Sequence, residues 1–256
     1  MFQPTPLPSM FIPRVLKNPP IREAIFTITF KDPVAPEKLN EFLNTPFVKS
    51  KFPAAVPGYK INITHTQKPT LQASTSDDGF SLKQAGDINK RLIQVKSTYL
   101  SYHNLTTYDG WDVMIGELRS LWTEFCTAVG KGLLAEVKVR NINNINLPLP
   151  LNQGFREYIT LAPQIPPGIN PNLNGFFIQI QTSNPSKNLQ AIITEALLGI
   201  DNSHKVVNLL LDITVFKKGV FNCNEEEMWN AFNELREYKD ALFFSTITPK
   251  TEQQFN

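Results

Sequence analysis

Residues 111–129 read WDVMIGELRSLWTEFCTAV, and this stretch decides the fold class that the sequence predicts. Its apolar residues recur at alternating steps of four and three, which is the spacing of one stripe along an α-helix. Asp109 is the predicted N-cap, and Gly130 stands where helices commonly stop. The stripe consists of Trp111, Ile115, Leu118, Trp122, Phe125 and Val129. We expect it to pack on a sheet rather than to line a ligand site.

The residues before this helix are typical of β-strands. Ile21–Phe30 (IREAIFTITF) is rich in β-branched and aromatic residues and alternates a more apolar with a less apolar face. Pro36 opens a short helical segment, PEKLNEFLN. Further strands are predicted at residues 60–67, 79–85 and 91–102.

The residues after Gly130 repeat this order. The predicted elements are a strand at 135–147, a short helix at 152–161, strands at 176–182, 189–198 and 206–217, and a long helix from Asn224. Asn224, with Glu227 three residues later, resembles a capping box. The apolar stripe of this helix consists of Met228, Phe232, Leu235 and Leu242.

Nearly constant offsets between these elements indicate a duplication. Trp229 follows Trp111 by 118 residues, and Leu147 follows Phe30 by 117. Short connections favour antiparallel neighbours, and the helical stripes need an apolar face to cover. We therefore predict an α+β fold: a duplicated strand–helix–three strands–long helix unit, with an antiparallel sheet and two long helices packed on one face.

The predicted domain organisation has three parts. Residues 1–18 form a proline-rich N-terminal arm, since proline disfavours regular hydrogen-bonded structure. Residues 19–132 form the first α+β half and residues 133–256 the second, together one pseudo-twofold domain.

Several motifs in this order resemble a sporadically distributed family of uncharacterised prokaryotic proteins, over about residues 17–248. They are KNPPIREA at 17–24, YLSYHNL at 99–105, YDGW at 108–111, RNINNINLP at 140–148 and LDITVF at 211–216. The resemblance implies no particular activity. The patchy distribution of the family is typical of mobile genes, including phage-defence and toxin–antitoxin genes.

The mid-chain motif departs from the pattern of that family. The family motif reads Arg-Tyr-x-Asn-Arg, and this chain keeps Arg140 and Asn143. Asn141 and Asn144 stand in place of the tyrosine and the second arginine. A site that used those two side chains would therefore differ here.

Composition and motifs exclude several classes of protein. The chain of 256 residues has 25 Lys+Arg against 23 Asp+Glu, so its charge of +2 gives no strong field for polyanions. No apolar run reaches the ~20 residues of a membrane span, and no secretory signal opens the chain. Cys126 and Cys223 then indicate reduced thiols, and we expect a cytoplasmic protein without membrane attachment.

No catalytic or cofactor motif stands out. Phosphate-binding glycine loops and the Gly-x-Ser-x-Gly pattern are absent from the sequence, and the three histidines are far apart. We therefore expect no metal, no cofactor and no enzyme activity.

The candidate binding residues are polar groups inside strand patterns. Carboxylates in apolar strands are costly unless paired, and the Arg140 guanidinium fits the carboxylate of Asp212 or Glu23. A structural ion pair is the plainer alternative. Asn143 carries both a donor and an acceptor, as reading a peptide backbone requires. The full candidate set is Glu23, Tyr108, Trp111, Arg140, Asn143 and Asp212.

The sequence thus favours a cytoplasmic binding protein that recognises a protein partner, in phage defence or toxin neutralisation by the resemblance. The recognition surface of such a protein would be the helix-free face of the sheet plus the proline-rich loop at 163–171. One alternative is nucleic-acid binding through the basic and aromatic residues Lys83, Lys90, Arg91, Lys96, Tyr99 and Tyr102. The other is a metal-dependent hydrolase or nuclease that uses Glu23 and Asp212.

Overall fold

A computed structural model describes residues 14–65, 71–84, 90–151, 154–168, 173–222 and 226–256. Its strands are β1 Ile21–Phe30, β2 Ala54–His65, β3 Leu71–Lys83, β4 Arg91–Val95, β5 Tyr99–Asn104, β6 Leu133–Pro148, β7 Phe177–Asn184, β8 Leu189–Asp201 and β9 Val206–Asn222. Its helices are α1 Pro36–Leu43, α2 Pro46–Lys51, α3 Trp111–Val129, α4 Glu226–Thr246 and α5 Pro249–Glu252.

The fold is α+β with an antiparallel sheet, as the periodicities predict. Within the described ranges the sheet has nine strands, in the order β2-β3-β4-β5-β1-β6-β9-β8-β7. The chain divides into two compact units. Unit 1 holds the described residues up to Ala24, with Lys138–Lys218 and Trp229–Asn256. Unit 2 holds Ile25–Val137 and Gly219–Met228. The predicted halves at 19–132 and 133–256 stay a prediction.

In unit 2, α3 buries the aromatic part of its stripe against β1 and α1. The Trp111 ring centroid lies 5.0 Å from that of Phe26, and Phe30 stacks on Phe125 at 5.3 Å. Gly130 ends the helix as predicted, with a φ of 96° and its N–H donating to the Cys126 carbonyl. Asp109 as N-cap is wrong, because Gly110 occupies that position and the Asp109 carboxylate accepts from Arg91.

A second correction concerns the strands of unit 2. The single strand predicted at 91–102 is two strands, β4 and β5, so four strands rather than three lie between α2 and α3. The chain reverses between them, where the Lys96 N–H donates to the Tyr99 carbonyl over 2.8 Å. The turn residues Ser97 and Thr98 include no glycine, proline or asparagine, so the usual sequence signal for a turn is missing.

In unit 1, α4 covers one face of the sheet. Alternate residues of β9 from Val207 to Val215 are buried. Lys217 continues the same face of the strand, and its side chain pairs with Glu234 of α4 over 2.6 Å. The predicted stripe residues Phe232, Leu235 and Leu242 are all buried. The Asn224 cap lies outside the described residues. The helix predicted at 152–161 is one 3₁₀ turn, Phe155–Glu157, in the described part of that stretch.

Two further predictions concern the chain ends and the membrane. Residues 1–13 of the predicted arm lie outside the description, while the Asn18 N–H donates to the Phe255 carbonyl over 2.9 Å. Among the helices described, none combines the length and apolar character that crossing a bilayer requires.

Candidate functional site

Three of the candidate residues come together on one face of unit 1. The Arg140 Nε lies 3.0 Å from both carboxylate oxygens of Asp212, and one terminal nitrogen donates to Oδ2 over 2.6 Å. The hydrogen bonds with Asp212 raise the pKa of Arg140, and the nearby charge of Glu23 adds to this effect. Arg140 is 43% exposed and Asp212 is 13% exposed, so the pair borders on solvent. A bidentate pair of this kind orders both side chains.

Asn143 faces the opposite, covered side of the same strand. Its side-chain amide donates to the main-chain carbonyls of Leu211 and Asn141, over 2.9 and 3.3 Å. Its carbonyl oxygen Oδ1 is buried and accepts no hydrogen bond from the described residues. Asn143 therefore holds β6 against β9 from inside unit 1 and is separated from Arg140 by the sheet.

Tyr108 and Trp111 lie in unit 2. Trp111 is buried against Phe26 at the start of α3, and Tyr108 is half-buried. The burial of Trp111 supports the core position expected for the stripe. A binding role for the six candidates stays a prediction.

Arg91 organises a polar cluster in unit 2. Its Nε donates to Glu117 over 2.8 Å, and another guanidinium nitrogen donates to Asp109 over 2.6 Å. The Tyr102 hydroxyl also donates to Glu117, and Lys90 lies 3.3 Å from Asp109. The Arg91 hydrogen bond lowers the pKa of Asp109. Arg91 is buried in this cluster, so its guanidinium is committed to carboxylates rather than open to a phosphate.

A serine–histidine contact that the sequence search missed lies on β5. Ser101 Oγ is 2.8 Å from His103 Nε2, and both side chains are buried. Two residues of one strand that are separated by one position share a face, which brings the groups together. No spaced motif marks such a pair in a sequence. Its burial keeps solvent and substrates away from the serine hydroxyl.

A pocket of about 700 Å³, here called the loop pocket, lies in unit 1 and is lined in part by the proline-rich loop. Its walls are mostly apolar. They include Leu149, Phe155, Pro163, Ile165, Ile200 and Val207. Of the predicted loop at 163–171, Pro163, Gln164 and Ile165 line the pocket, and residues 169–171 lie outside the description.

A β-bulge directs Ile200 towards this pocket. The register of β8 against β9 shifts between Leu197 and Gly199, so Ile200 stands opposite Val207. Val207 belongs to the same buried face as Leu211, opposite the face that carries Asp212. The Val207 wall of the loop pocket therefore lies on the face of β9 opposite to the Arg140–Asp212 pair.

The charge of Arg156 determines which kind of ligand suits the loop pocket. Arg156 is exposed, follows directly after Phe155 in the 3₁₀ turn, and is the one charged residue among the described lining residues. Neither a carboxylate nor any other group of the described chain pairs with it. An apolar pocket with one unpaired guanidinium suits a ligand that has an apolar body and an anionic group.

Carboxylates elsewhere are not gathered into a metal-binding arrangement in the described ranges. No group of three or more His, Cys, Asp or Glu side chains there could hold an ion. Asp212, one of the two carboxylates in the hydrolase alternative, pairs with Arg140.

Comparisons with known proteins give no further assignment. No protein-family model matches the chain, and a search of curated proteins finds no significant match.

Proposed function

We propose that the chain is a cytoplasmic, non-enzymatic binding protein that recognises a segment of a protein partner in the loop pocket. The observation that carries the proposal is an apolar pocket of about 700 Å³ whose one charged lining residue in the described chain, Arg156, has no partner there. The segment inserts an apolar side chain and presents a carboxylate to Arg156. Phage defence and toxin neutralisation are settings that the family resemblance suggests for such a partner.

The size of the pocket supports this assignment. Binding pockets commonly enclose about 300–1,000 Å³ and combine apolar walls with a few polar groups. The walls formed by Phe155, Ile165 and Ile200 offer apolar contact to an aromatic or branched side chain. Gln164 and Asn174 also line the pocket and supply donors and acceptors for the main chain of a bound segment.

The charge of Arg156 selects among apolar segments. A guanidinium donates two hydrogen bonds to a carboxylate, which can belong to a neighbouring Asp or Glu or to a chain terminus. A lysine in the same position of the segment would face a like charge. The pocket therefore discriminates by charge as well as by shape.

Selection of random peptides against the full chain tests the proposal. We expect enriched peptides to combine a large apolar residue with an adjacent carboxylate. Their affinity should fall at least tenfold with Ile200→Lys or Arg156→Glu, because these changes fill the apolar site or reverse its charge. Val220→Lys is the matched control, since Val220 is an exposed apolar residue outside the lining.

Two results would contradict the proposal. One is enrichment of peptides without a carboxylate, and the other is binding that is indifferent to both pocket variants. The variant Arg140→Ala distinguishes binding at the loop pocket from binding at the sheet face that the sequence predicts. Loss of binding with that variant alone would move the site to the Arg140–Asp212 pair.

We also propose that the chain arose by duplication, with the two long helices packed on one face of the sheet. The strand order supports this idea, because the first strand of each half, β1 or β6, neighbours the last strand before a long helix, β5 or β9. The helices that follow, α3 and α4, have 19 and 21 residues.

A further inference from the structure

The outer edge of β7 has no strand beside it in the described part of the chain. β7 pairs with β8 over all eight of its residues, and it ends the strand order of the sheet. Alternate residues of an edge strand direct their N–H and C=O groups outwards, and these groups fit only another extended chain.

The two edge strands of the sheet differ in how strongly their sequences discourage pairing with another strand. The strand at the other end, β2, contains Pro57 and a register shift after it, two devices that discourage pairing. β7 reads FIQIQTSN and contains no charge, no proline and no register shift. It is also largely exposed, with Phe177 at 68%. An unprotected edge of this composition is suited to strand addition.

We propose that β7 pairs antiparallel with β7 of a second copy of this chain, with Ile180 on the twofold axis. In this register Ile180 stands opposite its own copy, and Ile178 stands opposite Thr182. These side chains share one face, since Ile178, Ile180 and Thr182 are alternate residues that pair with Glu195, Ile193 and Ala191 of β8. Such β-branched cross-strand pairs stabilise a sheet.

The other face of the strand is equally self-complementary. Gln179 stands opposite Gln181, where side-chain amides can donate to and accept from each other, and Phe177 stands opposite Ser183. No position of this uncharged strand places like charges together. This match of the strand to itself selects a second copy over an unrelated peptide.

Sedimentation velocity of the full chain over a range of concentrations tests the proposal. We expect the wild type to sediment at twice the monomer mass, and Ile180→Lys to sediment as a monomer, because two lysines would then face each other. Val56→Lys is the matched control, since Val56 is an exposed apolar residue on the other edge strand, and it should stay dimeric. Circular dichroism checks that both variants fold.

A cross-link tests the register independently. Residues directly opposite in an antiparallel pair have Cα atoms about 4.5–5.5 Å apart, which a disulfide can bridge. With Cys126 and Cys223 replaced by serine, Ile180→Cys should form a covalent dimer with an added oxidant, while Val56→Cys should not. A wild type that is monomeric at every concentration, or a dimer that survives Ile180→Lys, would overturn the proposal. Addition of an unrelated peptide to β7 of a monomeric chain would overturn it too.

Discussion

At the scale of single residues, the buried carboxyl group of Glu195 in unit 1 is energetically unfavourable in its charged form. It lies in β8 on the covered face, is fully buried, and neither carboxylate oxygen has a hydrogen-bond partner among the described residues. Burial disfavours the charged form, and this raises the pKa of Glu195 to about 7. The folded protein therefore keeps a proton on Glu195 at pH values where the unfolded chain has lost it.

This shift predicts a pH dependence of stability with a definite sign. The folded pKa lies above the unfolded one, so the folded state binds more protons between about pH 4.5 and 7. The free energy of unfolding should fall across that window as pH rises, by about 3 kcal/mol in total. Glu195→Gln should remove this fall, because an amide does not titrate.

Urea denaturation of the two proteins at several pH values measures the effect. Asp32→Asn, which changes an exposed carboxylate, is the control and should keep the pH dependence of the wild type. Parallel stability–pH curves for the wild type and Glu195→Gln would show that Glu195 is not the titrating group.

At the scale of the elements, we expect substitution by alanine to change the stability of the protein in opposite directions at two glycines. Gly79 in β3 has a φ of +73°, and a Cβ there would lie 1.8 Å from the Val95 carbonyl oxygen on β4. Gly116 in α3 has open space around its Cα. Gly79→Ala should destabilise by about 2 kcal/mol or more, since β3 and β4 would have to separate. Gly116→Ala should stabilise by about 0.5–1 kcal/mol, because it removes backbone entropy from the unfolded chain.

Chemical denaturation of the two variants and the wild type measures these changes in the free energy of unfolding. A Gly79→Ala variant as stable as the wild type would show that β3 and β4 have room for a Cβ at this position. A destabilising Gly116→Ala would show that α3 has a neighbour at that position.

Elements with a strong period are predictable from this sequence, and turns without a marker are not. The alternation of Ile21–Phe30 and the stripe of α3 gave their bounds directly, since burial follows periods of two and 3.6. The β4–β5 turn was missed because serine and threonine are only weak turn formers, and no glycine, proline or asparagine marks the position. The 3₁₀ turn Phe155–Glu157 was too short for any period to distinguish it from a helix.

At the scale of the whole molecule, the candidate site could be predicted only in part. The proline-rich loop indicated one wall of the loop pocket, and an Arg140–Asp212 pair followed from the cost of burying charge. The other walls come from Leu149 and Phe155 and from Ile200, which is distant from them in sequence and reaches the pocket through the strand pairing and the β8 bulge. Arg156 was missed because nothing in its local sequence shows that it lacks a partner.

Reversing the charge of Arg156 and the charge of a selected peptide, separately and together, tests the central proposal most directly. Isothermal titration calorimetry would give the dissociation constants of a carboxylate-bearing peptide and its lysine counterpart, each with the wild type and with Arg156→Glu. We predict that the wild type prefers the carboxylate peptide by about tenfold, or about 1.4 kcal/mol, and that Arg156→Glu reverses the preference. The same preference in both proteins would contradict recognition at the loop pocket.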